Sequence, residues 1–431
     1  MARGYVLKEV IMDHINHIRS INNIPKMSAR DAFVSTNQSF GIFCGIPFQR
    51  DQLLLNLLSS YCNKIGIVLL HNNLSFENQL GKIYTLNPSL GNTNFKMILA
   101  NQTMALQSIT SYYDPLYGLN DNEILNVIVP STNYGIDSSI QQLRSILSDY
   151  LSIIKYQFSK RNDIWGNYPY SLDLLLELTS MPFDVLRNEV LTYLPNDIKQ
   201  SITSRLSASG MQQMVYNAVN SFAHSISGIL WTSRSFQNHT KTSIISTVAN
   251  KQLLSINIPG TRPDVLDYIF YEIQHLVESN IPFLLVEYGI NINQSAKLKS
   301  LFLSDHSSSF YSTGIVSENT SSVISPDNPN ELADLFGQIQ EMFVFSCAST
   351  ISAQPFSDGI GNYFRQVTEH HVDRHRQPFR IFSGHGDGDV QRETSQKIIT
   401  PEELTNLSTG CLLYGKNHPI PTLISNFIFQ E

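Results

Sequence analysis

The chain is short of charge. Asp, Glu, Lys and Arg make up 15% of its 431 residues, against roughly 25% in ordinary soluble proteins. Asn and Ser carry polarity instead, as in 317–322 (SENTSS) and 327–330 (DNPN). The net charge of −7 lacks the basic excess of a nucleic-acid coat, so that role is not favoured, although a local basic contact stays open. Cysteine is scarce too. Cys44, Cys62, Cys347 and Cys411 form no C-x-x-C pair, so neither a zinc site nor a disulfide framework is indicated. No apolar run reaches the roughly 18 residues that span a bilayer. The first residues (MARGYVLKEVIMDHINHIRS) lack a secretory apolar region with a small-residue cleavage site. These absences point to a cytoplasmic protein that reaches the inner face of a membrane only through partners. Gly-x-Ser-x-Gly and His-Glu-x-x-His are missing as well, which removes two common hydrolase signatures.

What is present begins with a buried-strand pattern. Residues 40–44 (FGIFC) read as a strand, 45–52 as a loop and 53–61 (LLLNLLSSY) as an apolar helix. Strand, glycine-initiated eight-residue loop and helix form the framework of a P-loop, G-x-x-x-x-G-K-[ST]. Only Gly45 keeps its place. Arg50 stands where the second glycine belongs, Asp51 where the phosphate-binding lysine belongs, and Gln52 where the magnesium-binding hydroxyl belongs. A carboxylate at the lysine position repels a triphosphate, and a side chain at the glycine position hinders close backbone approach.

Strand and helix then alternate. Residues 66–70 (GIVLL) form a continuous apolar run of the kind buried in parallel sheets, with possible strands at 83–86 and 95–99. From Asp137 the period changes. Leu143, Ile146, Leu147, Tyr150, Leu151 and Ile154 trace one helix face, and 172–180, 183–194, 196–208 and 211–226 continue helical. Sheet patterning returns at 252–258 (QLLSINI), 281–286 (IPFLLV), 310–317 and 342–346, with helices at 265–277 and 329–340. Thr400-Pro401-Glu402-Glu403 is a capped helix start, and 411–414 and 422–429 close the chain as strands. The expectation is an α/β fold with one mostly parallel sheet and a nested all-helical insertion: 1–136, insertion 137–231, then 232–431.

In this order of elements the chain resembles the RecA-like motors of the FtsK/HerA superfamily. It is most similar to the coupling proteins and related ATPases of type IV secretion and conjugation. The carriers are the P-loop-like turn, the helical insertion, the apolar strand ending in an acid, and 398–407 (IITPEELTNL). The resemblance implies hexameric rings with ATP at subunit interfaces. It also implies an Asp-Glu pair ending the apolar strand, where Val286 replaces the Asp and Glu287 keeps the Glu. A sensor glutamine is implied on the next strand, where Glu318 stands. Valine cannot join a magnesium shell, which needs oxygen ligands. Concerted loss at Asp51, Val286 and Glu318 implies a chain that is not an enzyme, binds no cofactor and serves as a structural or adaptor subunit. Its partners are then proteins, an active motor ATPase or secretion-complex subunits, in an oligomer.

Two alternatives remain open. A working ATPase could use Glu287 as its base. A metal-dependent hydrolase could centre on His370, His371 and Asp387, since imidazoles and carboxylates at short spacing ligate transition metals. The same stretch interleaves Arg365, Arg374, Arg376 and Arg380 with Phe364, Phe379 and Phe382, a pattern that suits single-stranded nucleic acid. Nearby acids cancel much of that charge, and an exposed partner-facing loop is the favoured reading.

Overall fold

The computed structural model describes residues 26–28, 38–61, 64–73, 75–80, 95–98, 112–129, 138–160, 170–207, 210–226, 241–258, 263–304, 310–320, 323, 329–372, 387–407, 410–416 and 418–425. The first strands are β1 (Lys26–Ser28), β2 (Phe40–Phe43), β3 (Gly66–His71) and β4 (Phe95–Ile98), with helix α1 (Pro47–Tyr61) between β2 and β3. Two short strands, β5 (Tyr112–Tyr113) and β6 (Lys241–Thr242), pair in parallel at either end of a helical block. That block contains α2 (Asp121–Ile128), α3 (Ser138–Lys160), α4 (Leu172–Ser180), α5 (Asn196–Leu206) and α6 (Met211–Ile226). After α7 (Ile244–Ala249) come β7 (Leu253–Asn257), α8 (Pro263–Glu278), β8 (Phe283–Tyr288), α9 (Ala296–Leu303) and β9 (Tyr311–Ser317). Then follow α10 (Pro329–Gln338), β10 (Glu341–Val344), α11 (Thr350–Ile360), β11 (Asn362–Val372) and β12 (Asp387–Lys397). The chain closes through α12 (Pro401–Thr405), β13 (Cys411–Gly415) and β14 (Thr422–Ser425).

Ten strands form one sheet in the order β1-β14-β13-β10-β2-β9-β8-β3-β7-β4. From β10 to β4 every neighbouring pair is parallel, and β13 enters antiparallel beside β10. The apolar runs at 40–44, 66–70, 252–258, 281–286 and 342–346 share this sheet as β2, β3, β7, β8 and β10. The fold is α/β and RecA-like: β2 lies between β9 and β10, while the next strand in the chain, β3, lies beyond β8. Parallel strands need crossover helices, which cover both faces, so the strands read as unbroken apolar runs. Alternation of apolar and polar residues is accordingly absent from β3, where Ile67, Val68, Leu69 and Leu70 are all buried.

The helical block is tied together by specific contacts. Arg144 of α3 donates to the Leu125 and Val129 carbonyls at the end of α2, at 3.2 and 2.6 Å. Such a cation satisfies carbonyls that have no partner inside a helix. Arg205 of α5 grips the buried Asp149 of α3 through Nε at 2.7 Å and Nη2 at 2.5 Å. Phe222 of α6 packs on Tyr268 of α8 with ring centroids 5.5 Å apart, joining the block to a helix of the sheet layer.

Three local expectations differ from the structure. The helix after β2 starts at Pro47, six residues before the expected 53. Pro at the first helical position has its φ preset, and Gln49 three residues after Ile46 accepts the Ile46 N–H at 3.2 Å, half of a capping box. Residues 183–194 do not form one helix but pass through a π-turn, Leu186–Val190, and a short 3-10 turn. Leu186, Val190 and Leu191 are buried there, and that spacing suits the wider turn. The expected exposed loop after 360 contains a hairpin, β11 paired with β12 from Asn362↔Lys397 to Val372↔Asp387. The expected strand at 83–86 and the residues between 373 and 386 lie outside the described residues.

Leu69 is fully buried on β3 between β7 and β8. Leu69→Ala is expected to cost about 2–5 kcal/mol, the range for a buried Leu truncation whose cavity cannot collapse. A shift of the urea unfolding midpoint at unchanged slope checks it.

Candidate functional site at the carboxyl edge of the sheet

In an open parallel sheet, ligands sit outside the carboxyl ends of the strands, where neighbouring connections diverge. Here the exits of β2, β3, β8 and β9 surround a cavity of about 600 Å³, lined by Arg50, Asn72, Tyr288, Ser317 and Glu318 among others. Asn72, just past β3, donates from Nδ2 to the Gly289 carbonyl at 2.5 Å and links two of these exits.

The turn from β2 to α1 is only Cys44-Gly45-Ile46. Cys44 and Gly45 both adopt left-handed backbone, with φ of 63° and 67°. A Cβ at Gly45 would come within 2.6 Å of Phe345 Cβ, so close packing and φ both demand glycine. The N–H groups of this turn are already used. Cys44 N donates to Ser317 O at 3.1 Å, Gly45 N to Ser346 O at 3.0 Å, and Ile46 N to Gln49 Oε1. Arg50, buried on the first turn of α1, sends Nη1 back to the Cys44 and Gly45 carbonyls at 2.9 and 2.6 Å.

Asp51 faces away from the cavity wall. Its Oδ1 accepts the Tyr288 hydroxyl and its Oδ2 accepts Gln79 Nε2 at 3.3 Å. Burial pushes the Asp51 carboxyl up, against the hydrogen bond from Tyr288 and the nearby Arg50 charge. Gln52 is half-buried and meets Gln79 at 3.5 Å, away from the cavity. The premise that Asp51 sits at a phosphate-binding position is therefore corrected. The early helix start turns Asp51 into the packing, and the charge presented to the cavity from this turn is the cation of Arg50.

Val286 is buried inside β8, paired between Leu69 and Gly314, two residues short of the strand end. Glu287 is fully buried, and its Oε2 accepts Ile290 N at 3.2 Å while Oε1 has no partner among the described residues. Burial raises its carboxyl to about 8. Glu318 is exposed directly after β9 and is the carboxylate on the cavity wall. Thus Arg50 and Glu318 share the cavity with Gly45's turn at its side, whereas Asp51, Gln52, Val286 and Glu287 are held in the packing. His370, His371 and Asp387 lie on the β11–β12 hairpin, with His370 opposite Asp389 and Asp387 opposite Val372.

Several polar residues here escape sequence patterns. Glu77 is buried, raised to about 7 by that burial, and accepts Asn257 Nδ2 at 2.9 Å. His71 is fully buried and held down at about 4 by desolvation. Its Nδ1 accepts Asn73 N at 3.2 Å, which leaves Nε2 to donate to Ser255 Oγ at 2.9 Å. His71 ends an apolar strand and Glu77 lies on the helical stretch 75–80 that follows it, and a polar residue in an apolar setting is the only signal the sequence carries.

A nucleotide is the ligand that the resemblance implies. The three turn residues have no unspent N–H for its phosphates, so the backbone cradle of a P-loop does not fit here. An anion in the cavity would meet the Arg50 side chain instead.

Glu287 and Glu77 are held neutral in the fold above the range where carboxyls ionise in an unfolded chain. Their stabilisation is complete at low pH and declines as pH rises from about 4.5, through about 7 for Glu77 and about 8 for Glu287. Glu287→Gln is expected to raise the melting temperature relative to the parent at pH 8.5 and to change it little near pH 5. Melting curves across that range check the sign.

No protein-family model matches the chain, and no curated protein matches it. Among solved structures, the chain is similar to the unbound monoclinic form of the bacterial conjugative coupling protein TrwBdeltaN70. The identity is 14%, over 94% of this chain and 88% of that one, with a TM-score of 0.48. It is similar to plasmid coupling protein TrwB in complex with ADP and Mg2+ at 16% identity, over 94% and 89% of the two chains, TM-score 0.45. VirB4 of Thermoanaerobacter pseudethanolicus matches at 10% identity over 75% of this chain and 80% of its own, TM-score 0.36. These similar structures include nucleotide complexes, and the carboxylate held to repel a triphosphate does not reach the cavity. The expectation of a chain that is not an enzyme is corrected on both grounds and dropped.

Proposed function

We infer that this chain is a RecA-like subunit of a conjugation, secretion or DNA-translocation assembly, which it serves as a structural or adaptor component. The observation that carries this reading is the pair Ile46 and Phe48, 59% and 54% exposed beside the cavity. Large apolar side chains grouped at a surface mark contact sites more often than solitary ones do. Ile351, at the start of α11, is 84% exposed beyond the neighbouring strand β10. The partners are protein: a motor ATPase, secretion-complex subunits, or further copies in an oligomer. Net acidity disfavours a nucleic-acid backbone as the main contact. Residues 1–136 and 232–431 form the RecA-like part in this reading, and 137–231 form an insertion that offers a second contact surface. The protein works in the cytoplasm, at the inner face of a membrane through its partners. Among the described residues no helix is long and apolar enough to cross a membrane.

The full-length chain carrying Ile46→Asp and Phe48→Asp tests this. Co-purification with its assembly should fall at least ~10-fold, since charge at the centre of an apolar contact is costly. Circular dichroism should stay unchanged. A folded double variant that joins its assembly as well as the parent overturns the reading.

Arg50 on the cavity wall favours a second reading, in which the carboxyl-edge cavity takes the phosphates of a nucleotide. Calorimetric titration with ADP, with and without Mg2+, decides it. Binding that weakens about tenfold or more in Arg50→Ala supports the site, since a charge-assisted contact is worth about 1.5–3 kcal/mol. Absence of binding to the parent chain rejects it.

A further inference from the structure

Strands β2 and β10 run parallel and adjacent, with Phe43 opposite Val344. Their exits therefore leave the sheet side by side, and each carries a cysteine. Cys44 Sγ and Cys347 Sγ are 2.8 Å apart, across 303 residues of sequence. The backbones around them are clamped: Phe345 N donates to Phe43 O at 2.9 Å and Gly45 N to Ser346 O at 3.0 Å. Cys347 N in turn donates to Leu404 O of α12 at 3.2 Å. Both cysteines are buried, at 2% and 4% exposure, yet the next residue after Gly45, Ile46, is open to solvent. The backbone at Cys44 is left-handed, which is uncommon for a residue with a Cβ and signals a conformation imposed by its surroundings.

We propose that Cys44 and Cys347 are a dithiol–disulfide pair, a reversible modification site that clasps the β2 exit to the β10 exit. The co-reactant is a small-molecule disulfide of the glutathione class. One cysteine thiolate attacks a sulfur of that disulfide, the external S–S bond breaks, and a thiol leaves with a proton. The second cysteine then attacks the mixed disulfide, releasing the second small thiol. Two cysteine thiols are oxidised, one external disulfide is reduced, and two protons pass to the leaving thiolates. An S–S bond is about 2.05 Å, so closure asks for a shift of under about 1 Å of the two sulfurs.

Mutual hydrogen bonding and burial hold the Cys44 thiol protonated, opposed by the nearby Arg50 charge. Thiolate is the reactive form, so exchange is slow while the turn is closed and proceeds when it opens. Buried cysteines that only pack are inert. Two of them on separate loops, in mutual contact beside an exposed turn, are placed to react with each other. The clasp would fix the turn that bears Ile46 and leads into Phe48 of α1, and so set how that surface is presented.

Purified full-length protein, fully reduced, is equilibrated in buffers of increasing oxidised-to-reduced glutathione ratio. Free thiols are then alkylated in denaturant and the chain is digested. The expected product is a Cys44–Cys347 cross-linked peptide two hydrogens lighter than its parts, with Cys62 and Cys411 alkylated. Hydrogen exchange of residues 44–50 should slow on oxidation and recover with dithiothreitol. Neither change should occur in Cys347→Ser or, if that variant is unstable, in Cys347→Ala. Full alkylation of both cysteines at the most oxidising ratio overturns the proposal. So does a stable glutathione adduct on either cysteine, or pairing of either with Cys62 or Cys411.

Discussion

A strand buried at the middle of a parallel sheet must leave it without stranding polar groups, and that constraint shapes this molecule around β2. Phe40, Ile42 and Phe43 are fully buried between β9 and β10. With three residues available before α1, the turn spends its N–H groups on Ser317, Ser346 and Gln49 and its carbonyls on Arg50. Satisfying these groups outweighs keeping an open anion cradle, because each buried polar group left unpaired costs about 1–3 kcal/mol. Gly45, Arg50 and the early helix start follow from the same requirement.

The carboxyl edge also stores protonation. For Glu77, Glu287 and His71, burial disfavours the charged forms, holding Glu287 and His71 neutral at neutral pH and raising Glu77 to about 7, and each keeps at least one hydrogen bond. Asp51 differs in having Arg50 beside it and Tyr288 donating to it. The acidic and basic side chains discussed on this edge thus divide into Arg50 and Glu318, on the cavity wall, and Asp51 and Glu287, held in the packing. The Cys44–Cys347 contact lies on the side of β2 toward β10, where the edge meets α11 and α12. A change of redox state there and a change of occupancy in the cavity would act on the same three-residue turn.

The helical block leans on the sheet layer through α6 and α8, while Asp149–Arg205 and Arg144 hold its own helices in register. These internal contacts are charged or polar and partly buried, so they specify geometry as much as they stabilise it. Between block and sheet helix the Phe222–Tyr268 ring contact is joined by a polar one, His275 Nδ1 of α8 with Glu123 Oε1 of α2 at 2.5 Å.

Much of the architecture is legible in the sequence. Apolar runs such as GIVLL and FLLV announce buried parallel strands, since a strand covered on both faces has no polar side to alternate with. The 3.6-residue period of 143–154 and the Thr400–Glu403 cap mark helices locally, because caps and amphipathic faces depend on nearest neighbours along the chain. The site was legible only in part. Gly45 is visible as a turn glycine, but the direction of Asp51 depended on where α1 begins, and Pro47 with Gln49 settled that through backbone bonds. The burial of Glu287, and with it a neutral carboxyl, required β8 to be enclosed by β3, β9 and the layers above and below. The meeting of Cys44 with Cys347 required β2 and β10 to become neighbours across some three hundred residues. The sequence by itself determined the apolar strands and the capped or amphipathic helices, because those rest on short-range energies. Tertiary structure alone decided which side chains share an environment, because strand order brings together residues that no local pattern connects.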